Sequence, residues 1–240
     1  MKIFSILIFL IISSALHAKD MREYMRETAD LIEMNEYEEA LERTIWFHNH
    51  ALEHRPGLYG VRLSFELSRW HEFGKKYPPA LAALKDIRDK KTNIIKSGEG
   101  TRNLFHDVSS INRTLSDDNK TVDLFKYLHK NQPKLAKDVW RISKDTLIKE
   151  NEYSIVREYI GNVLREYTLK EADYKESIDR YSNEEYGVRL IALSENNFVE
   201  DAIELINLAI ALNDRDSAIK IKSKAEKLVK DYRLDDIEIK

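Results

Sequence analysis

The stretch Asn35-Glu-Tyr-Glu-Glu-Ala-Leu-Glu-Arg43, which runs on to Ala51-Leu-Glu-His-Arg-Pro56, decides the fold of this 240-residue chain. Asn35 is a favourable helix N-cap, and the carboxylate of Glu38, three residues later, can reach back to the free backbone amide. The positions that follow recur at the spacing of one helix face: Tyr37, Ala40, Leu41, Thr44, Ile45, His48, Ala51 and Leu52. Because Pro56-Gly57 stops a helix, the pattern predicts one helix that ends just before Pro56.

A shorter helix is predicted immediately upstream. Tyr24, Thr28, Leu31 and Ile32 give this segment an apolar stripe of its own. Only two or three residues join the two segments, and so short a connection forces two helices to pack antiparallel. The sequence therefore predicts a helical hairpin.

The hairpin is repeated forty residues later. The segment from Leu58 to Phe73 has helical periodicity, Gly74-Lys75-Lys76 is the predicted turn, and Pro78-Pro79 opens the next helix, where proline removes no intrahelical donor. Three positions of the second helix align with the first at the same offset: Tyr37 with Tyr77, Ala40 with Ala80, and Leu41 with Leu81. We expect both alanines to lie at helix–helix contacts.

These residues resemble the tetratricopeptide repeat. The family has an aromatic residue, a small alanine where its two helices touch, a second alanine further along and a closing proline, and the matching positions are Tyr37, Ala40, Ala51, Leu52, Glu53 and Pro56. One extra helical turn between Ala40 and Ala51 and the lack of the usual glycine depart from the family pattern. The resemblance covers residues 21–96, returns near the C-terminus and extends to uncharacterised secreted bacterial proteins of this helical-repeat class. We expect an all-α fold, either a right-handed α-solenoid or an irregular array of antiparallel helical hairpins.

The N-terminus has the layout of a secretory signal peptide. Lys2 precedes a run, residues 3–12, that is apolar except for Ser5, and small residues lead to Ala18. The run is shorter than the ~20 residues that span a bilayer, so we expect no stable membrane insertion of the mature chain. We predict a signal peptide over residues 1–18, cleaved after Ala18 or alternatively after Ala15, and a periplasmic or secreted protein.

Composition supports an all-α fold and excludes some partners. A net charge of −3 argues against nucleic acid as the main partner, and the absence of cysteine excludes disulfides. Seven glycines and four prolines are too few for an all-β chain, whereas a charged fraction of 34% suits long helices with solvated outer faces.

The remaining sequence predicts further helices, about eleven in all. Residues 97–100 are the predicted loop between helical hairpins over 19–96 and a further hairpin array over 101–232. Residues 153–167 form the cleanest amphipathic stretch. Ser182, Asn197 and Asp214 are predicted helix starts, and residues 233–240, which are rich in charge, are predicted to fray.

One motif has the spacing of metal ligands. His50-Ala-Leu-Glu53-His54 places two imidazoles four residues apart on a helix, with a glutamate positioned as in the inverzincin metalloproteases that it formally resembles. No residue stands out as the third ligand, and histidines near a helix C-terminus also suit the helix dipole. We expect no cofactor and no catalysis, and keep a zinc-dependent hydrolase as an alternative.

The resemblance also implies a peptide groove, because the first helix of each tetratricopeptide pair lines a concave surface. Carried over, that surface comprises Arg22, Met25, Ala29 and Glu33 from the first pair and Arg62, Phe65, Arg69, Glu72 and Phe73 from the second. Arg62 and Arg69 are two helical turns apart, so we expect them on one exposed face, suited to a peptide carboxylate. Alternatively, the phenylalanines belong to the core and the arginines form surface ion pairs.

The sequence thus favours an exported helical-repeat scaffold that binds a protein or peptide partner through this groove. Two alternatives remain open: the zinc-dependent hydrolase built on His50 and His54, and a structural subunit of an envelope assembly.

Overall fold

The computed structural model describes residues 21–239, so the predicted signal peptide lies outside the described residues. Within this range the chain forms thirteen α-helices and no strand. Their bounds are α1 (Met21–Glu33), α2 (Tyr37–His54), α3 (Tyr59–Leu63), α4 (Phe65–Lys76), α5 (Pro78–Ile94), α6 (Arg102–Thr114), α7 (Asp118–Asn131), α8 (Pro133–Lys149), α9 (Tyr153–Ile160), α10 (Val163–Tyr181), α11 (Gly187–Ala211), α12 (Arg215–Leu228) and α13 (Tyr232–Asp235). None of the helices in residues 21–239 is both long and apolar enough to cross a membrane.

The chain divides into two compact units inside α8, one ending at Val139 and the other beginning at Trp140. The loop at residues 97–100, where the sequence suggested a division, lies within the first unit and forms the end of a π turn over Ile95–Glu99. The two divisions therefore do not coincide.

Adjacent helices of the first unit pack in pairs, as the sequence predicts for a helical hairpin. Ala40 and Ala80 are both fully buried in one core cluster. The rings of Tyr37 and Tyr77 stack with their centroids 5.3 Å apart, and Phe73 lies beside both. The alignment of the two hairpins is thus reflected in direct contact between equivalent side chains.

The helix boundary at Asn35 differs from the prediction. Asn35 has a φ of 63°, and the amide of Glu36 donates to the carbonyl of Leu31 while that of Asn35 donates to Ile32. This hydrogen-bond pattern closes the C-terminus of α1 in a Schellman motif, for which asparagine tolerates the left-handed conformation. Asn35 therefore ends α1 instead of capping α2.

The predicted turn at Gly74-Lys75-Lys76 is also wrong, because α4 continues to Lys76. A Cβ atom added to Gly74 would lie 2.8 Å from the Cβ of Leu81, closer than side chains approach. Gly74 is therefore a point of close contact between α4 and α5, and the chain turns at Tyr77.

The second unit contains three helices that pack on one another, α10, α11 and α12. Gly161, with a φ of 68°, interrupts the amphipathic stretch predicted over residues 153–167 and separates α9 from α10. Asn197 is not a helix start, since α11 runs through it without a break. Asp214 caps α12 as predicted, by accepting a hydrogen bond from the amide of Ser217 at 3.2 Å.

The C-terminal residues up to 239 are docked, contrary to the prediction that they fray. Leu234 is fully buried, and the Lys222 ammonium donates to the carbonyls of Asp235 at 3.0 Å and Ile237 at 2.7 Å. The buried Leu234 side chain and these hydrogen bonds together hold the segment against the second unit.

Candidate functional site: a groove between α1 and α4

A pocket of about 480 Å³ lies between α1 and α4, and we call it the α1/α4 groove. It is lined by Ala29, Ile32, Glu33, Ser64, Phe65, Ser68, Arg69, Glu72, Phe73 and Lys76. Six of these were carried over from the tetratricopeptide resemblance: Ala29, Glu33, Phe65, Arg69, Glu72 and Phe73. The structure therefore brings together most of the predicted groove residues on two helices that belong to different hairpins.

Two predicted groove residues of α1 lie outside the pocket lining. Arg22 is exposed nearer the start of the helix, and Met25 is half-buried against the cluster formed by Tyr24 and its neighbours. The carbonyl oxygen of Met25 accepts a hydrogen bond from Arg69 Nη2 at 3.2 Å. Met25 therefore contributes to the groove through its backbone carbonyl, which holds the side chain of Arg69 in place.

The two phenylalanines of the groove have different environments. Phe73 is only 2% exposed and belongs to the core cluster, whereas Phe65 is 73% exposed. The alternative assignment to the core therefore holds for Phe73 alone. Phe65 presents an aromatic ring to solvent at the groove wall, and large apolar side chains with such exposure often mark interaction sites when they border a recess.

The exposure of Phe65 follows from a break in the helix that the sequence predicted over residues 58–73. Ser64 has φ −128° and ψ −83°, and its hydroxyl donates to the carbonyl of Gly60 at 2.8 Å. This residue separates α3 from α4 and makes Phe65 the first residue of the new helix. Side chains on the two sides of Ser64 no longer follow one helical periodicity.

The prediction for Arg62 is wrong as a result of this break. Arg62 is only 4% exposed and does not share an open face with Arg69. Its guanidinium donates to both carboxylate oxygens of Asp107, at 2.5 and 3.2 Å, and to the carbonyl of His48 at 3.3 Å. Arg62 is therefore a structural residue of the interior and does not reach the groove.

Arg62 belongs to a buried ionic cluster that also contains His48, Lys91 and Asp107, contributed by four helices. Lys91 Nζ donates to Asp107 Oδ2 and lies 3.2 Å from His48 Nε2. Burial and the charges of Lys91 and Arg62 lower the pKa of His48 to about 3, so the ring is neutral and accepts a hydrogen bond. Burial alone would raise the pKa of Asp107, but the hydrogen bond from Arg62 and the two positive charges outweigh it and lower that pKa.

The charged side chains around the groove are already paired. Arg69 Nη1 donates to Glu66 at 2.9 Å, Lys75 pairs with Glu72 at 2.6 Å, and Lys76 pairs with Glu33 at 3.0 Å. A second nitrogen of Arg69, Nη2, donates a hydrogen bond to the carbonyl of Met25. The groove accordingly offers a ligand mostly apolar surface, and its cations are engaged with protein acceptors.

The two histidines of the motif, His50 and His54, pack against Trp46. The rings of His50 and His54 both lie with their centroids 5.3 Å from that of Trp46, and His50 Nδ1 lies 2.9 Å from the carbonyl oxygen of Trp46. In residues 21–239, no group of three or more His, Asp or Glu side chains is arranged to hold a metal ion. The third ligand required by the zinc hypothesis is thus not supplied by the described part of the chain.

Comparison of the chain with models of known families, with curated proteins and with solved structures finds no significant match.

Proposed function

We propose that this protein is an exported, tetratricopeptide-like helical-repeat scaffold that binds a segment of a partner protein in the α1/α4 groove. The observation that carries this proposal is Phe65, an aromatic side chain 73% exposed at the wall of an apolar recess of about 480 Å³. A pocket of this volume accommodates a few side chains of a peptide and is in the size range of ligand sites.

The ligand that fits is a peptide segment with a bulky aromatic or aliphatic side chain, seated against Phe65. Aromatic anchors in a desolvated pocket carry most of the binding energy in many interfaces. The groove cations Arg69 and Lys76 pair with protein groups, so a free peptide carboxylate would have to displace an existing ion pair. The sequence predicts that groove arginines bind a peptide carboxylate. We propose instead that the groove recognises an apolar side chain of the peptide.

Two features support the repeat architecture and the compartment. The helical hairpins align at an offset of forty residues and pack through buried alanines, which is compatible with a helical repeat and supports the proposed solenoid of paired helices. Residues 1–18 have the pattern of a secretory signal peptide, which favours a periplasmic or secreted location.

The test is selection from a displayed peptide library against the parent protein, followed by measurement of Kd for the enriched peptides. We expect enrichment of large apolar residues, and a Phe65→Ser variant should bind the selected peptides about tenfold more weakly, or worse, because the contact ring is gone. The matched control is Val188→Ser, which removes an apolar side chain 87% exposed on α11 in the other unit. This control should bind like the parent.

Equal binding by the parent and the Phe65→Ser variant would place the peptide site outside the α1/α4 groove. Failure to enrich any peptide would favour the structural-subunit alternative. Because the chain contains no cysteine, Ser68→Cys provides a single labelling position in the groove, and Ser97→Cys an exposed reference position outside it. A crosslinker attached at Ser68→Cys should capture the selected peptide, whereas one attached at Ser97→Cys should not.

A further inference from the structure

A second pocket of about 480 Å³ lies within the unit that begins at Trp140, and we call it the α8/α10 pocket. Its lining includes Trp140, Arg141 and Lys144 of α8, Tyr159 of α9, and Arg165 and Leu169 of α10. No motif in the sequence pointed to this recess, because the residues that line it belong to three helices.

Gly161, where the chain breaks between α9 and α10, lies in the lining of this pocket. Its φ of 68° and ψ of −107° lie in a region open mainly to glycine, and backbone of this kind is often retained at functional sites. Asn162 then caps α10 by accepting a hydrogen bond from the amide of Arg165 at 2.9 Å. The amphipathic stretch that the sequence predicts over residues 153–167 is therefore broken at the wall of the recess.

The positive charges in the pocket differ from those in the α1/α4 groove. Arg141 and Arg165 are exposed, and the guanidinium group of neither makes a hydrogen bond or an ion pair with any residue from 21 to 239. Lys144 pairs with Glu166 at 2.7 Å, so these two lining charges offset each other. The two arginines leave the lining with a net positive charge and with guanidinium groups available to a ligand.

The remaining wall is aromatic and apolar. The rings of Trp140 and Tyr159 stack with their centroids 5.2 Å apart and their planes at 24°. Leu169 adds an apolar side chain that is 53% exposed. A flat apolar body can pack on this surface while a charged end group reaches the arginines, which bind planar anionic groups by paired hydrogen bonds.

We propose that the α8/α10 pocket binds a small organic anion that combines an aromatic ring with a carboxylate or phosphate group. The ring packs on the wall formed by Trp140, Tyr159 and Leu169. The anionic group pairs with Arg141 and Arg165. This site is independent of the α1/α4 groove and takes a different class of ligand.

The experiment measures binding of four probes to the full chain by ligand-observed NMR titration: benzoate, phenyl phosphate, uncharged benzyl alcohol and inorganic phosphate. We expect at least one of the two ring anions to bind, and their order identifies carboxylate or phosphate as the preferred head group. Benzyl alcohol lacks the charge and inorganic phosphate lacks the ring, so both should bind about tenfold more weakly or less.

The variant is Arg141→Gln combined with Arg165→Gln, and the matched control is Arg157→Gln combined with Arg189→Gln, two exposed arginines of the same unit outside the pocket. The pocket variant should lose about tenfold in affinity for the ring anion with its Tm unchanged, and the control should bind like the parent. Three outcomes would each overturn the proposal: no ring anion that binds the parent below about 10 mM, equal loss in both double variants, or benzyl alcohol that binds as well as the anions.

Discussion

Arg62 and Asp107 lie forty-five residues apart in the chain and form a buried ion pair with two hydrogen bonds, at 2.5 and 3.2 Å. The pair joins α3 to α6, and Lys91 of α5 adds a second cation to the same carboxylate. A buried charge that loses its partner is costly, because neither water nor another group can stabilise it. The interior of the first unit therefore depends on the carboxylate of Asp107.

The first prediction compares the stability lost when the anion of this cluster is removed with the stability lost when one of its cations is removed. Asp107→Asn leaves two buried cations facing each other and should lower the free energy of unfolding by about 3–5 kcal/mol. Arg62→Met should cost less, about 1–3 kcal/mol, since Asp107 keeps Lys91 as a partner. Urea denaturation measures both, with Asp123→Asn, an exposed aspartate of α7, as the control. Equal costs for the two variants would mean that Asp107 is not the centre of the cluster.

The second prediction is a loss of stability in acid that depends on His48. The folded protein holds the pKa of His48 at about 3, below the ordinary value of 6.5, so the unfolded chain binds more protons between these limits. Stability should therefore fall as the pH drops below about 6.5. His48→Gln keeps an acceptor for Lys91 and removes the titration, so chemical denaturation from pH 7 to pH 4 should show a shallower decline. His71→Gln is the control and should follow the parent curve.

Those features that depend on local pattern could be predicted from the sequence. The buried alanines Ala40 and Ala80 followed from helical periodicity and a forty-residue offset, and the Asp214 cap followed from its residue type and position. Six of the residues that line the α1/α4 groove were carried over from the tetratricopeptide resemblance, in which the first helices of successive hairpins line one surface. In each case the neighbours that decide the outcome lie within one hairpin or its copy.

The features that escaped prediction depend on a single backbone conformation or on distant partners. Ser64 and Gly161 each interrupt a stretch whose apolar spacing reads as one continuous helix, and the pattern carries no signal for the break. The break at Ser64 removed Arg62 from the expected face. The sequence does not identify its partner Asp107, because nothing in either local sequence links residues forty-five apart.

The third prediction concerns Glu204, whose titration should lower stability as the pH rises, whereas that of His48 lowers stability as the pH falls. Burial and the nearby charges of Asp145 and Asp201 raise its pKa from 4.5 to about 7. The folded state therefore binds more protons than the unfolded state between these limits, and stability should fall as the pH rises through this window.

Glu204→Gln should flatten this dependence and raise Tm at pH 8, as measured by thermal unfolding monitored from pH 4.5 to pH 8. Glu185→Gln, at an exposed glutamate of the same unit, is the control. A Tm for Glu204→Gln that tracks the parent across the whole range would contradict the argument.

The fourth prediction tests the helix–helix contact at Ala80, the alanine that aligns with Ala40 at the forty-residue offset. Ala80 is fully buried in the core cluster, and its carbonyl accepts a hydrogen bond from Trp70 Nε1 at 2.8 Å, so we expect a larger side chain to press on closely packed neighbours. Ala80→Leu should cost about 1–3 kcal/mol of stability by overpacking. Ala82→Leu, two residues away on the exposed side of α5, should be nearly neutral in the same urea titration. Similar midpoints for the two variants would contradict tight packing at Ala80.

The stack of Tyr37 on Tyr77 has a consequence for how such a chain can grow. Tyr37 and Tyr77 hold equivalent positions in the two aligned hairpins, so their contact joins like positions of one hairpin and the next. Ile111 of α6, which follows the second hairpin in the chain, packs in the same core cluster as Ala40 and Ala80. A tandem duplication of these forty residues would place a third tyrosine in register with Tyr37 and Tyr77, so the same ring contact could be formed again without a new kind of interface.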